Sequence, residues 1–120
     1  LACSAALAVL REVIDKNLPQ RAIEHGQKIR MTIEGWQHHA VTEVRGKGLL
    51  LGVGLHAGAF EAPEGTPASI YLSSELAKAG LLAPPAGPDT VRLMPPLTVS
   101  DEEIHESLEI FRYTLDRICQ

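Results

Sequence analysis

Ala86-Gly-Pro-Asp-Thr-Val-Arg-Leu-Met-Pro-Pro-Leu-Thr-Val-Ser100 packs a turn, a short strand, a proline stop and a helix start into fifteen residues. Arg92 lies between Val91 and Leu93, so strand alternation turns it away from both apolar neighbours. Pro95-Pro96 allows neither ladder donation nor helix at that point. Ser100-Asp-Glu-Glu103 then reads as a capping box, with acids where a helix N-terminus favours them. An arginine fixed this way is either a partner in a structural ion pair or a clamp for a carboxylate. Its planar fork matches two carboxylate oxygens, and it cannot lose its proton.

Downstream, Ile104, Leu108, Phe111, Leu115 and Ile118 recur at three and four residues and predict a helix with one core face. Upstream, Leu81-Leu-Ala83 is expected to be a brief strand, and Gly80 the left-handed cap that ends a helix. That helix should open on Thr66 as N-cap and Pro67 as first residue, and run through Ile70, Leu72, Leu76 and Ala77. Ala57 to Thr66 is a loop. Leu49 to Leu55 is a continuous apolar run bounded by glycine, expected to be a buried strand. With the looser alternation of Ala40 to Arg45, and a turn at Arg45-Gly-Lys-Gly48, it makes a hairpin.

Two helices precede the hairpin. Ala22, Gly26, Ile29, Ile33 and Trp36 mark a narrow apolar face on a helix running from Pro19 to about Gln37. Residues 2 to 16 form another, striped by Ala2, Ala6, Val9 and Val13 and widened by Leu10 and Ile14. Small-residue helices pack closely, so this one is expected to dock on a further domain. Segregated helices against a small, mainly antiparallel sheet make an α+β domain.

The 120 residues suffice for one domain with its own core, and 45% apolar with 22% charged residues is ordinary for a globular protein. A net charge of −4 without a basic cluster argues against a nucleic-acid partner. The opening run Leu1 to Leu10 is broken by Arg11-Glu12, short of the roughly twenty apolar residues a membrane span needs. No basic segment precedes it, as a signal peptide requires. It reads as the middle of a buried helix, so the chain is expected to be a piece of something larger. Cys3 and Cys119 lie near opposite ends and are expected to be reduced thiols of a cytoplasmic protein.

Other motifs carry little chemistry. Gly46, Gly48, Gly52 and Gly54 do not match the phosphate-loop spacings, and the loop leads into a strand. His38 and His39 should point apart as neighbours on one segment, and with His25, His56 and His105 are expected to be solvated and to bind no metal. No Ser-His-Asp arrangement, paired-carboxylate signature or CxxC is present.

Five segments in order carry a resemblance: Leu1 to Leu10, Val44-Arg-Gly-Lys-Gly-Leu-Leu-Leu-Gly52, Gly80-Leu-Leu-Ala-Pro-Pro-Ala-Gly87, Val91-Arg-Leu-Met-Pro-Pro-Leu97 and Ser100-Asp-Glu-Glu-Ile104. Together they resemble the C-terminal part of class III aminotransferases of the ornithine and acetylornithine type, which use pyridoxal phosphate in the fold-type-I architecture. The resemblance spans essentially the whole chain. It implies a helix at 1–16 leading in from an absent large domain, and a C-terminal small domain at 17–120. It assigns Arg92 to the substrate α-carboxylate, and Arg45 and the glycines to forming the fold. It implies a homodimer acting on amino-acid and 2-oxo-acid substrates by ping-pong transamination, with the cofactor supplying the electron sink.

The cofactor lysine, the aspartate at the pyridine nitrogen and most phosphate contacts would then lie upstream of Leu1. No catalytic or cofactor-binding residue is expected in these 120, and none of Lys16, Lys28, Lys47 or Lys78 has the context of the cofactor lysine. The chain alone should be inactive. Pro85 to Arg92 looks closest to acetylornithine aminotransferases of arginine biosynthesis. Ornithine, succinylornithine and 4-aminobutyrate aminotransferases share the arginine strand. Outside the family, the residues also suit a stand-alone amino-acid-binding module or a structural, oligomerising domain.

Overall fold

The computed structural model describes all 120 residues and orders them as four helices and three strands: α1 (Ala2–Asp15), α2 (Leu18–Gly35), β1 (Val41–Lys47), β2 (Leu50–Leu55), α3 (Ala68–Lys78), β3 (Thr90–Leu93) and α4 (Asp101–Ile118). A single 3-10 turn, Ala57–Ala59, follows β2. The strands form one antiparallel sheet in the order β1-β2-β3, an α+β arrangement. Val44, Val53 and Val91 stand in one row across it and are buried. They meet Ile29 and Ile33 of α2, Leu72 and Leu76 of α3, and Phe111 and Leu115 of α4 in a single core.

Why the helices sit where they do follows from local chemistry. Ser100 caps α4 as expected: its hydroxyl accepts from the Glu103 N–H, and the Glu103 carboxylate accepts from the Ser100 N–H. All five residues expected on the α4 core face are buried. Gly80, at φ +97°, ends α3. The Leu81 N–H bonds back to the Leu76 carbonyl and the Gly80 N–H to that of Ala77, the paired closure of a left-handed cap. Gly26 is where α2 touches the hairpin, since a Cβ there would stand 2.1 Å from the Gly48 carbonyl oxygen. From the next turn of α2, Arg30 donates to the Val44 and Gly46 carbonyls and ties the helix to β1.

Helix α1 buries no residue; Leu7, Val9, Leu10 and Ile14 are all about half exposed or more. It makes the molecule long, 50 × 31 × 22 Å. Neither α1 nor any other helix is long and apolar enough to cross a membrane.

Several expectations are corrected. Leu81 to Ala83 is not a strand, because Pro84 and Pro85 remove the donors a ladder needs; only a lone Pro85–Val91 bridge remains. Pro67 is the N-cap of α3 rather than its first residue, with ψ 144°, and no side chain caps that helix. The hairpin turn lies at Gly48-Leu49, since β1 continues to Lys47 opposite Leu50. Strand β2 is buried as expected from Leu51 to Leu55 apart from the half-buried Gly52. Leu51, Val53 and Leu55 point inward, while Gly52 and Gly54 alternate with them on the far side.

The histidines also depart from expectation. His25 is buried, with Nε2 3.7 Å from Asp101 and Nδ1 unpartnered. The His38 side chain is nearly buried, 3.3 Å from Asp116, and its Nδ1 accepts from the Ala40 N–H. Rings 38 and 39 do not diverge but stack, centroids 4.7 Å apart. The chain leaves α2 through a left-handed Gln37 (φ 49°) into a turn, so strand alternation does not govern them.

Candidate functional site

The face of the sheet away from the helices carries polar and charged side chains. Antiparallel register puts Arg45, Gly52 and Arg92 in one row, and Glu43, Gly54 and Thr90 in the next. Alternation along β3 is as read from sequence: Val91 and Leu93 are buried, and Arg92 is exposed between them. Its backbone is fixed on both sides, by Gly52 in the ladder and by its N–H bonding to the Pro84 carbonyl at 2.8 Å. An open groove of about 640 Å³ lies over this face, lined by Arg92, Arg45, Lys47, Thr90 and the bare backbone at Gly52.

The two arginines of the groove differ in what holds them. Arg45 places Nη1 2.5 Å from Glu43 Oε1 and donates from Nη2 to Thr90 Oγ1 at 2.7 Å. Arg92 makes no ion pair, unlike Arg30 with Glu34, Arg112 with Asp116 and Arg117 with Glu75. Of the two readings the sequence left open, a structural ion pair for Arg92 has no partner in this fold. A planar cation fixed on a strand and facing an open groove is chemically suited to receive a carboxylate.

Glu43 and Thr90 were not singled out from sequence. The signal was there in Glu43-x-Arg45 and Gly52-x-Gly54, each an i, i+2 pair that a strand places on one face. What the sequence did not show is that both pairs share a face.

Elsewhere, Glu75 is buried between α3 and α4, 2.5 Å from Lys78 Nζ and 2.7 Å from Arg117 Nη2. Its bonds to Lys78 and Arg117 hold its carboxyl below the usual range. Lys28 and Asp101 pair at 2.8 Å, and that bond lowers the Asp101 carboxyl. Glu75–Arg117 ties α3 to α4 and Lys28–Asp101 ties α2 to α4. No three His, Cys, Asp or Glu side chains gather as metal ligands. Both cysteines are free.

The fold has solved counterparts among pyridoxal-phosphate aminotransferases. The crystal structure of acetylornithine aminotransferase from Elizabethkingia anophelis matches 98% of this chain and 30% of that one, with a TM-score of 0.85 and 32% identity. The chain belongs to the class-III aminotransferase family, whose model matches residues 1–115. An ornithine aminotransferase of Emericella nidulans is 35% identical over 93% of this chain and 24% of its own length. Ornithine aminotransferase 2 of Staphylococcus aureus is 34% identical over 94% of this chain and 26% of its own. The chain thus spans about a quarter of the length of these relatives.

Class-III aminotransferases depend on pyridoxal phosphate. The lysines of this chain do not fit the group. A lysine that forms a Schiff base must be desolvated to lose its proton near neutral pH. Here Lys16, Lys28 and Lys78 are exposed and paired with Glu12, Asp101 and Glu75, and Lys47 is exposed.

Proposed function

We propose that this chain is the C-terminal small domain of an acetylornithine-type aminotransferase, with Arg92 gripping the substrate α-carboxylate. Residues 17–120 form that domain, and the helix at 1–16 leads in from the large, cofactor-holding domain. The observation that carries the reading is the unpaired guanidinium of Arg92, held by the ladder over an open groove. In the whole enzyme an amino group passes from N-acetylornithine to 2-oxoglutarate, as in arginine biosynthesis. Both substrates carry an α-carboxylate, but it is placed differently: beside the reacting carbon in 2-oxoglutarate, and at the opposite end of the chain from the transferred δ-amino group in N-acetylornithine, whose α-nitrogen is acetylated. The enzyme works as a cytoplasmic homodimer, and the 120 residues alone are inactive.

A second reading has its own support. The relatives named above at 34% and 35% identity are ornithine aminotransferases, so free ornithine is the competing donor. The groove grips the carboxylate the two donors share. Steady-state kinetics of the full-length enzyme with each donor separate the two: the larger kcat/KM names the substrate.

Replacing Arg92 tests the grip itself. Removing a bidentate charged contact costs roughly 2–4 kcal/mol, so Arg92→Ala should raise KM for amino-acid and oxo-acid substrates by about 30- to 1000-fold. Unchanged kinetics with every substrate would reject the role.

A further inference from the structure

We infer that Arg45 is a positioning residue for Arg92, bracing the strand that carries it and surrendering its own charge to Glu43. The inference rests on the reading of Arg92 as the carboxylate clamp. Arg45 starts on β1, crosses β2, and reaches Thr90 on β3, two residues before Arg92 and on the same face. The crossing is possible because β2 has no side chains beneath it. A Cβ at Gly52 would stand 3.3 Å from Thr90 Cγ2 and 3.6 Å from Arg45 Cγ. One at Gly54 would stand 2.6 Å from Thr42 Oγ1 and 3.0 Å from Glu43 Cγ. Thr90 is 3% exposed although it sits on the groove face.

Stability does not account for this arrangement. The Arg45 and Glu43 side chains are each more than half exposed, where an ion pair contributes little. Two glycines in the middle of a strand weaken it. What the brace does accomplish is geometric and electrostatic. One arm of Arg45 holds the start of β3, which fixes the direction of the Arg92 stem. The other arm is neutralised by Glu43, so Arg45 does not compete with Arg92 for an incoming carboxylate.

The test is a double-mutant cycle in the full-length enzyme, comparing Arg45→Met alone and on an Arg92→Ala background. Loosening the clamp without removing it should raise KM for both substrates about tenfold, with kcat changed far less. On the Arg92→Ala background Arg45→Met should add nothing, because the residue it acts through is gone. Arg45→Lys should recover part of the loss, since one ammonium reaches Glu43 or Thr90 but does not span both. If Arg45→Met leaves KM unchanged, or raises it equally in both backgrounds, the brace is rejected while the clamp stands. If Arg92→Ala itself is silent, the clamp falls and the brace with it. Should Arg45→Met fail to fold, Thr90→Val removes the acceptor at nearly constant shape and is expected to give the same KM pattern.

Discussion

Helix α2 carries two glycines whose replacement by alanine should act in opposite directions. Alanine is favoured over glycine in a helix by about 1 kcal/mol, and both Gly26 and Gly35 lie within Leu18–Gly35. At Gly35 a Cβ meets nothing within 4 Å, so Gly35→Ala should stabilise by up to that amount, less for its place at the helix end. At Gly26 the new Cβ would be 2.1 Å from the Gly48 oxygen and 2.7 Å from its carbon. Relief needs a separation of about 1 Å between two backbones. Neither yields easily, because Ile29 and Ile33 anchor the helix in the core and Arg30 binds it to β1. Overpacking of this kind costs about 1–3 kcal/mol, and contact between backbones belongs at the upper end. The net for Gly26→Ala is then a loss of about 2 kcal/mol, lowering the melting temperature by roughly 6–12 °C for a domain of this size. Urea or thermal unfolding, followed by circular dichroism and the fluorescence of Trp36, reads both variants. If Gly26→Ala melts at or above the wild-type temperature, the contact does not fix α2 against the hairpin, and the packing argument is wrong.

The thiols should label at very different rates. Burial, with Asp116 adding to it, pushes Cys119 up to about 11, leaving about a thousandth of it as reactive thiolate at pH 8. Cys3 is exposed on α1 and should react first with iodoacetamide, with Cys119 following far more slowly; equal rates in the folded protein would contradict the partial burial. His38 should make the domain acid-sensitive. Burial, then the neighbouring charge of His39, lowers its folded value below 6.5, so the unfolded chain binds the proton more readily. Its contribution is present above about pH 6.5 and is lost as the pH falls through the folded value. Urea midpoints between pH 7 and 5 should fall less steeply in His38→Gln than in the wild type.

The elements that a single local signal specifies were readable in the sequence. Ser100 and Glu103 satisfy each other within one turn, and Gly80 supplies the positive φ that closes α3. Signals that depend on a neighbour were not. Leu49 to Leu55 reads as an apolar run, yet its glycines face outward because Arg45 arrives from the adjacent strand and Thr90 from the other. The hairpin turn lies two residues beyond the Gly46-Lys47 centre that residue types suggest, for a similar reason. Gly46 is a turn residue by type, but it lies within the strand at φ +115°, where a Cβ would stand 2.1 Å from the Leu50 carbonyl oxygen and only glycine fits. The buried state of His25 and His38 depends on α4 lying against α2, a packing no local pattern encodes.

Arg92 shows both limits at one position. Its direction follows from period-two alternation between Val91 and Leu93, a property of three consecutive residues. Its availability is a property of the whole face, on which the Glu43 carboxylate is already committed to Arg45. Glu43 lies on that face, 49 residues away in sequence. Arg45 takes that carboxylate, so the sheet presents two arginines of equal intrinsic charge in unequal states. On the proposed reading, Arg92 is then the arginine of this groove left free to grip a carboxylate. That selectivity lies in the pairing across three strands rather than in Arg92 itself, and for that reason Glu43→Gln should disturb substrate KM although Glu43 need never touch the substrate.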